Sequence, residues 1–263
     1  MQVHYNRFII LFVILFSGFL ITVTAQSLEE LITQGDEFYK QFDNEKALEY
    51  YLKANEMYPD NWEVAWRISR AYVDIGEHMN VATDEEEDAQ FAMYRLAKDY
   101  GNKAVDLAPD KSVTFLRRAI AGGRIALFKG EFSVGSVVDS VRDDCEMAIN
   151  LGNGGSFIQA LSHYVLARTH AKLAEKPGIV RWPLGLGWGD IDTAFAEYEK
   201  AITLDPEFMM IYTDYAKALL EEDEYDKAKD IVEKGLKCPL RDEDDKAKLE
   251  ELNNLKKQIE EEE

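Results

Sequence analysis

The apolar positions of this chain follow a spacing that recurs. Ala47, Tyr51 and Ala54 lie on one face of a helix, since residues four and seven apart stack on successive turns. Pro59 follows where the helix must stop. A small–aromatic–small stripe lets a second helix approach closely. Upstream, Leu31, Gly35 and Phe38 carry the same helical period, with the glycine at a point of close approach. The polar pair Asp43-Asn44 separates the two patterns as a turn. Ser27, with Glu30 three residues on, predicts an N-cap and its capping-box partner. Residues 28–61 therefore predict two antiparallel helices.

The stripe returns down the chain. Ala97, Ala104 and Pro109 repeat it, and Val141, Cys145 and Ala148 repeat it with a cysteine in the aromatic place. Ala194, Tyr198, Ala201 and Pro206 give it in full; Tyr225, Ala228, Gly235 and Pro239 close the series. First helices precede each stripe, marked by Ala65, Ile68, Ser69 and Tyr72, then Phe115, Ala119 and Ala126, then Leu166 and Ala167, then Ala216. Gly76 is expected to end the first of these helices, and Gly122-Gly123 to interrupt the second. The pattern resembles the tetratricopeptide repeat (TPR) family, whose unit is a helix–turn–helix of about 34 residues. That resemblance implies an all-α fold: a TPR-type α-solenoid of about five helix-turn-helix repeats, with two insertions and a C-terminal capping helix. The repeats run at about 28–61, 62–110, 112–153, 160–207 and 209–240.

The first insertion lies near residues 78–93 and contains Asp84-Glu85-Glu86-Glu87-Asp88. Its spacing does not match a calcium-binding EF-hand loop. It reads as a solvated loop leading into a helix start, where acids are favourable. The second insertion, 175–190, reads EKPGIVRWPLGLGWGD. Two tryptophans and two prolines among glycines predict a structured, non-helical loop. Trp182 and Trp188 either plug a gap between repeats or contact a ligand. The tail 241–263 carries Leu249, Leu252, Leu255 and Ile259 on a charged background, an amphipathic helix suited to capping a solenoid.

Charge narrows the partners. The 263 residues carry a formal net charge of −20. That excludes non-specific nucleic-acid binding, which needs a cationic footprint, and disfavours anionic membrane surfaces. The N-terminus has Arg7, an apolar run over 8–23, then Val23-Thr24-Ala25. This layout predicts a secretory signal peptide over 1–25. The mature chain would then be exported, periplasmic or secreted, with no membrane association after cleavage; an uncleaved anchor is the alternative. Cys145 and Cys238 sit about two repeats apart and are expected to remain unpaired.

In the repeat family the first helices line the concave face. Carried over, that implies Tyr39 and Lys40, then Trp66, Arg70 and Asp74, then Leu116 and Arg124. Repeat 4 would add Tyr164, Arg168 and Lys172, and repeat 5 Thr213, Lys217 and Glu221. The expected partner-binding residues are Trp66, Arg70, Arg124, Tyr164, Arg168, Lys172 and Lys217, with Trp182 and Trp188 from the insertion. Cations lining a groove inside an acidic shell would attract a carboxylate. The expected partner is therefore a protein or peptide presenting an acidic or C-terminal carboxylate group. The opposing expectation is that these cations pair with acids on adjacent repeats. The family's carboxylate-clamp asparagines are absent. No catalytic, cofactor or metal residues are expected: HExxH, CxxC pairs and P-loops do not occur. His163 and His170 lie about 10 Å apart along one helix.

The resulting expectation is an exported, non-catalytic scaffold. The layout also resembles the T component of periplasmic TRAP solute transporters, which implies a transport accessory binding a small ligand or a substrate-binding protein. It is similar, too, to regulator of microtubule dynamics proteins, whose repeats carry a comparable loop before the alanine–tyrosine helix. The signal-like N-terminus argues against a microtubule role.

Overall fold

The computed structural model describes residues 26–130 and 135–262. The expected signal segment, 1–25, lies outside the described residues. Every regular element described is helical. Five hairpins form in order: α1 (Leu28–Tyr39) with α2 (Asn44–Met57), α3 (Trp62–His78) with α4 (Asp84–Leu107), α5 (Ser112–Lys129) with α6 (Gly135–Leu151), α7 (Gly155–Ala174) with α9 (Ile191–Leu204), and α10 (Met209–Glu221) with α11 (Tyr225–Gly235). The short α8 (Gly178–Arg181) lies in the second insertion, and α12 (Asp245–Glu262) packs on α10 and α11 as a cap.

The caps follow the sequence. Ser27 and Glu30 form a reciprocal capping box on α1, and Asp43 accepts from the Lys46 amide at the start of α2. Asn61 and Asp190 do the same for α3 and α9. Each such cap contributes about 1 kcal/mol to its helix.

The expected seams are buried. Ala47, Tyr51 and Ala54 are fully inaccessible, as are Ala97, Ala104, Ala194, Ala201, Ala228 and Cys145. Cys145 thus occupies the aromatic place as a small hydrophobe; both it and Cys238 are free thiols. Leu252 and Ile259 dock the cap into the largest core, which spans repeats 2 to 5.

Three local expectations are corrected and one, the first insertion, is met. Gly76 does not end α3; it lies inside it, where a Cβ would stand 2.7 Å from the Tyr94 ring. Gly122 and Gly123 leave α5 uninterrupted, since Gly122 faces Val141 across the hairpin and tertiary packing outweighs its low helix propensity. The first insertion is as expected: α3 runs on to His78, a loop over 79–83 follows, and Thr83 and Glu86 cap α4 with the acidic run as its first turn. The second insertion contains α8 and a 3₁₀ turn, Trp182–Leu184, with Pro183 inside that turn, where its missing donor costs nothing.

That second insertion is anchored from within. Leu186 is fully buried beside Ala126, Val138 and Leu173. Trp188 donates from Nε1 to Asp139 Oδ1 at 2.8 Å and meets the His170 ring edge-on at 5.0 Å. Trp182 lies against Gly178 and Gly187 of the same insertion and is 71% exposed.

The solenoid closes on itself. Asn44 Nδ2 donates to Glu243 Oε2 at 3.0 Å, and His78 Nε2 lies 3.1 Å from Asp244 Oδ1. The loop between α11 and α12 therefore reaches the first two hairpins and bounds an inner space. Among the described residues, no helix is long and apolar enough to cross a membrane.

Candidate functional site

The inner space is a cavity of about 440 Å³, lined by first helices, by Asn44 of α2 and Val138 and Val141 of α6, and by the loop Arg241, Asp242, Glu243 and Asp244. That volume lies within the range of about 300–1,000 Å³ typical of ligand sites. One wall is apolar: Ile120, Leu127, Val141, Leu161, Val165, Phe208 and Met210. The other is charged: Arg70 and Asp74 on α3, Arg117 and Arg124 on α5, and Arg168 and Lys172 on α7. Four-residue spacing puts Arg70 beside Asp74, and Arg168 beside Lys172, on single helix faces.

Most of these cations are already paired. Arg124 meets Glu77 across α5 and α3. Arg168 lies 3.3 Å from Asp214, which also accepts from the Tyr164 hydroxyl at 2.6 Å. Lys172 pairs with Glu175. The neighbouring Tyr164 oxygen raises the Arg168 pKa against the opposing effect of burial, with Asp214 adding to it. Burial, then the charge of Arg168, pushes Arg124 down to about 10.

The inner end near Trp66 differs. The Arg70 guanidinium lies over the Tyr39 ring at 3.3 Å, and its Nη2 reaches the Tyr51 hydroxyl at 3.2 Å. Arg70 is 3.7 Å from Asp36, an acid already held by Arg67 at 2.9 Å. Arg117 makes no hydrogen bond and no ion pair among the described residues; its guanidinium rests 5.8 Å from the centre of the Trp66 ring. Both arginines are only 9% exposed. Three polar atoms here are buried without a hydrogen-bond partner among the described residues: Arg70 Nε, Arg117 Nε and Asp74 Oδ2. Leaving a buried polar atom unpaired costs about 1–3 kcal/mol, more when it is charged. Burial, then repulsion from Arg70, lowers the pKa of Arg117. Burial pushes the Asp74 carboxyl up to about 6, against the pull of Arg117 and Arg70.

The structure brings together Arg70, Arg124, Tyr164, Arg168 and Lys172, along with Tyr39, Lys40 and Asp74. Trp66 does not line the cavity but buttresses the arginines beneath it. Lys217 lies outside the lining, paired with Glu251 on α12; Glu221 is also outside, and Thr213 is buried in the core. Trp182 and Trp188 do not reach the cavity wall. Leu116 is fully buried in the core, and its neighbour Arg117 faces inward instead. Arg124, placed by the same register, does line the cavity, so the mismatch is confined to the start of α5, where Arg117 and not Leu116 faces inward. Phe208, Met210 and the acidic loop carry no sequence signal for the site; no local pattern connects that loop to helices so far away along the chain.

His163 and Glu197 face each other between α7 and α9, but Glu197 is also held by Lys200 and neither lines the cavity. Among the described residues, no group of three or more histidines, cysteines or acids is placed to hold a metal ion.

A known structure shares the architecture. A TPR protein from Thermus thermophilus, TTC0263, superposes with a TM-score of 0.61 at 16% identity, covering 87% of this chain and all of that one. YrrB, described as a TPR protein with an unusual peptide-binding site, gives a TM-score of 0.48 at 14% identity over 88% of this chain and 92% of its own. Among curated proteins, no sequence matches. The family described as RMD1-3, regulator of microtubule dynamics protein 1-3, matches residues 31–260. With nearly the whole folded body so matched, the chain belongs to the regulator of microtubule dynamics protein 1-3 family.

Proposed function

We propose that this chain is a helical-repeat scaffold, without chemistry of its own, that binds a protein or peptide partner inside its concave cavity through an acidic group of that partner. One observation carries the reading: Arg117 is buried at the cavity wall with no ion-pair partner among the described residues. A buried cation is ordinarily paired, and removing it from water without a counter-charge is costly. A carboxylate entering the cavity would supply that counter-charge, and arginine would hold it bidentately. The paired cations Arg124, Arg168 and Lys172 would then shape the entrance rather than bind directly. Export guided by residues 1–25 belongs to the same proposal, supported by the apolar run and the small residues ending at Ala25.

A second reading, a transport accessory binding a small ligand, is favoured by the cavity's size and its apolar wall. The insertion carrying Trp182 does not contribute to that wall.

Affinity capture with the chain 26–263, followed by mass spectrometry, tests the first reading. Wild-type protein should retain a partner that Arg117→Gln loses and Trp182→Ala keeps. Equal capture by Arg117→Gln would reject the cavity as the partner site.

A further inference from the structure

The three buried atoms without partners are two donors and one acceptor, and all belong to residues lining one cavity. Arg70 Nε and Arg117 Nε each present an N–H; Asp74 Oδ2 presents a lone pair. Beside them, Ile120, Leu161 and Val165 form an apolar surface. A ligand complementary to this set needs an anionic oxygen pair, a hydrogen-bond donor nearby and an apolar body. A bare inorganic anion would satisfy the arginines but place its charge against Asp74 and leave the apolar wall uncovered. A simple carboxylic acid would cover the wall but bring no donor.

Resting on the reading above that the cavity is the ligand site, we propose that it takes an N-acylated α-amino acid unit with an apolar side chain. The α-carboxylate would sit on Arg70 and Arg117. The amide nitrogen, two bonds from the carboxyl carbon, would donate its proton to Asp74 Oδ2. The side chain would lie on Ile120, Leu161 and Val165. This chemistry has two sources: a free N-acyl amino acid, or the last residue of a polypeptide. The closed geometry suits both, because the contacts of Asn44 with Glu243 and of His78 with Asp244 tie the loop between α11 and α12 across the two ends of the solenoid. An uninterrupted chain would have to pass that closure; a chain end would not.

Isothermal titration of the chain 26–263 with N-acetyl-L-phenylalanine tests the proposal, using its carboxamide and 3-phenylpropanoate as controls. The carboxamide lacks the anion and should bind at least about tenfold more weakly, the loss expected for a charged hydrogen bond. The 3-phenylpropanoate lacks the amide and should lose about threefold to tenfold. A hexapeptide with C-terminal phenylalanine separates the sources: tighter binding than the single residue identifies a polypeptide end, weaker binding a free small molecule. Arg117→Met should abolish binding. Arg117→Lys, which keeps the charge without the fork, should retain part of it and controls for misfolding. Equal binding of acid and carboxamide, or of acid and 3-phenylpropanoate, overturns the assignment. If no member of the series binds while Arg117→Gln still loses a captured partner, this inference fails and the scaffold reading stands. If capture is also unaffected, both fail.

Discussion

The ring of Tyr51 fills the space that a side chain on Gly35 would need: a Cβ built on Gly35 would stand 2.4 Å from Tyr51 Cε1. The ring cannot swing aside, because it is fully buried and its hydroxyl is tied to Asp36 Oδ1 at 2.6 Å. Gly35→Ala should therefore destabilise the protein through overpacking, by about 1–3 kcal/mol, despite the better helix propensity of alanine. Chemical denaturation monitored by circular dichroism measures this. An unchanged or raised midpoint would mean that the α1–α2 seam is looser than described.

The seams are legible in the sequence because a small residue at helical spacing beside an aromatic has one efficient use, close helix packing. Gly35, Ala47 and Tyr51 sit where that logic puts them. Arg117 is not legible. The family register puts Leu116 inward, and although Arg124 of the same register does line the cavity, no sequence pattern marks that Leu116 packs into the core while Arg117 faces inward. The closure is not legible either, since Asn44 and Glu243 lie 199 residues apart and no local pattern links them. The glycines at 76 and 122 mislead because a glycine that ends a helix and one that permits close approach look alike in sequence.

The two insertion tryptophans should respond differently to removal. Trp188 donates to Asp139, meets His170 edge-on and lies under the Arg142 guanidinium at 4.6 Å. Trp188→Ala should cost about 2–4 kcal/mol, somewhat less than the loss of a fully buried aromatic. Trp182 is largely exposed, and Trp182→Ala should change stability by less than about 0.5 kcal/mol. Paired thermal unfolding curves decide this; equal losses would show that Trp182 is held in solution.

The closure should tighten on mild acidification. Burial alone would lower the pKa of His78, but the Asp74 carbonyl, Asp244 and Glu243 outweigh it and raise it above the usual histidine value. A raised folded-state pKa means that the histidine's contribution is fully present below about 6.5, its unfolded value. It is lost as pH rises through the higher folded value. Hydrogen exchange corrected for intrinsic pH dependence should show amides of the 241–245 loop better protected at pH 6 than at pH 8. His78→Gln should remove the difference. Persistence of the full difference in His78→Gln would assign the effect elsewhere.

Asp74 should make global stability rise with acidification over a partly overlapping range. Its carboxyl is buried, carries an unpartnered Oδ2 and has its pKa pushed up to about 6 from 3.8. For an acid, a raised folded-state pKa means that the native state holds its proton more tightly than the unfolded chain. The ionised form therefore opposes folding, fully above about pH 6 and progressively less as pH falls toward 3.8. The shift corresponds to a penalty on the order of 3 kcal/mol at neutral pH, relieved on protonation. Arg117 offsets part of this by its charge, so the two residues are energetically linked. Asp74→Asn should flatten the stability profile between pH 7.5 and 5 and raise stability most at the upper end. Urea denaturation of wild type, Asp74→Asn and His78→Gln across that range separates the two groups: Asp74→Asn should act on the global midpoint, and His78→Gln chiefly on the loop. A wild-type midpoint that falls from pH 7.5 to 5, or an unaltered slope in Asp74→Asn, would show that this carboxylate is solvated or paired in solution.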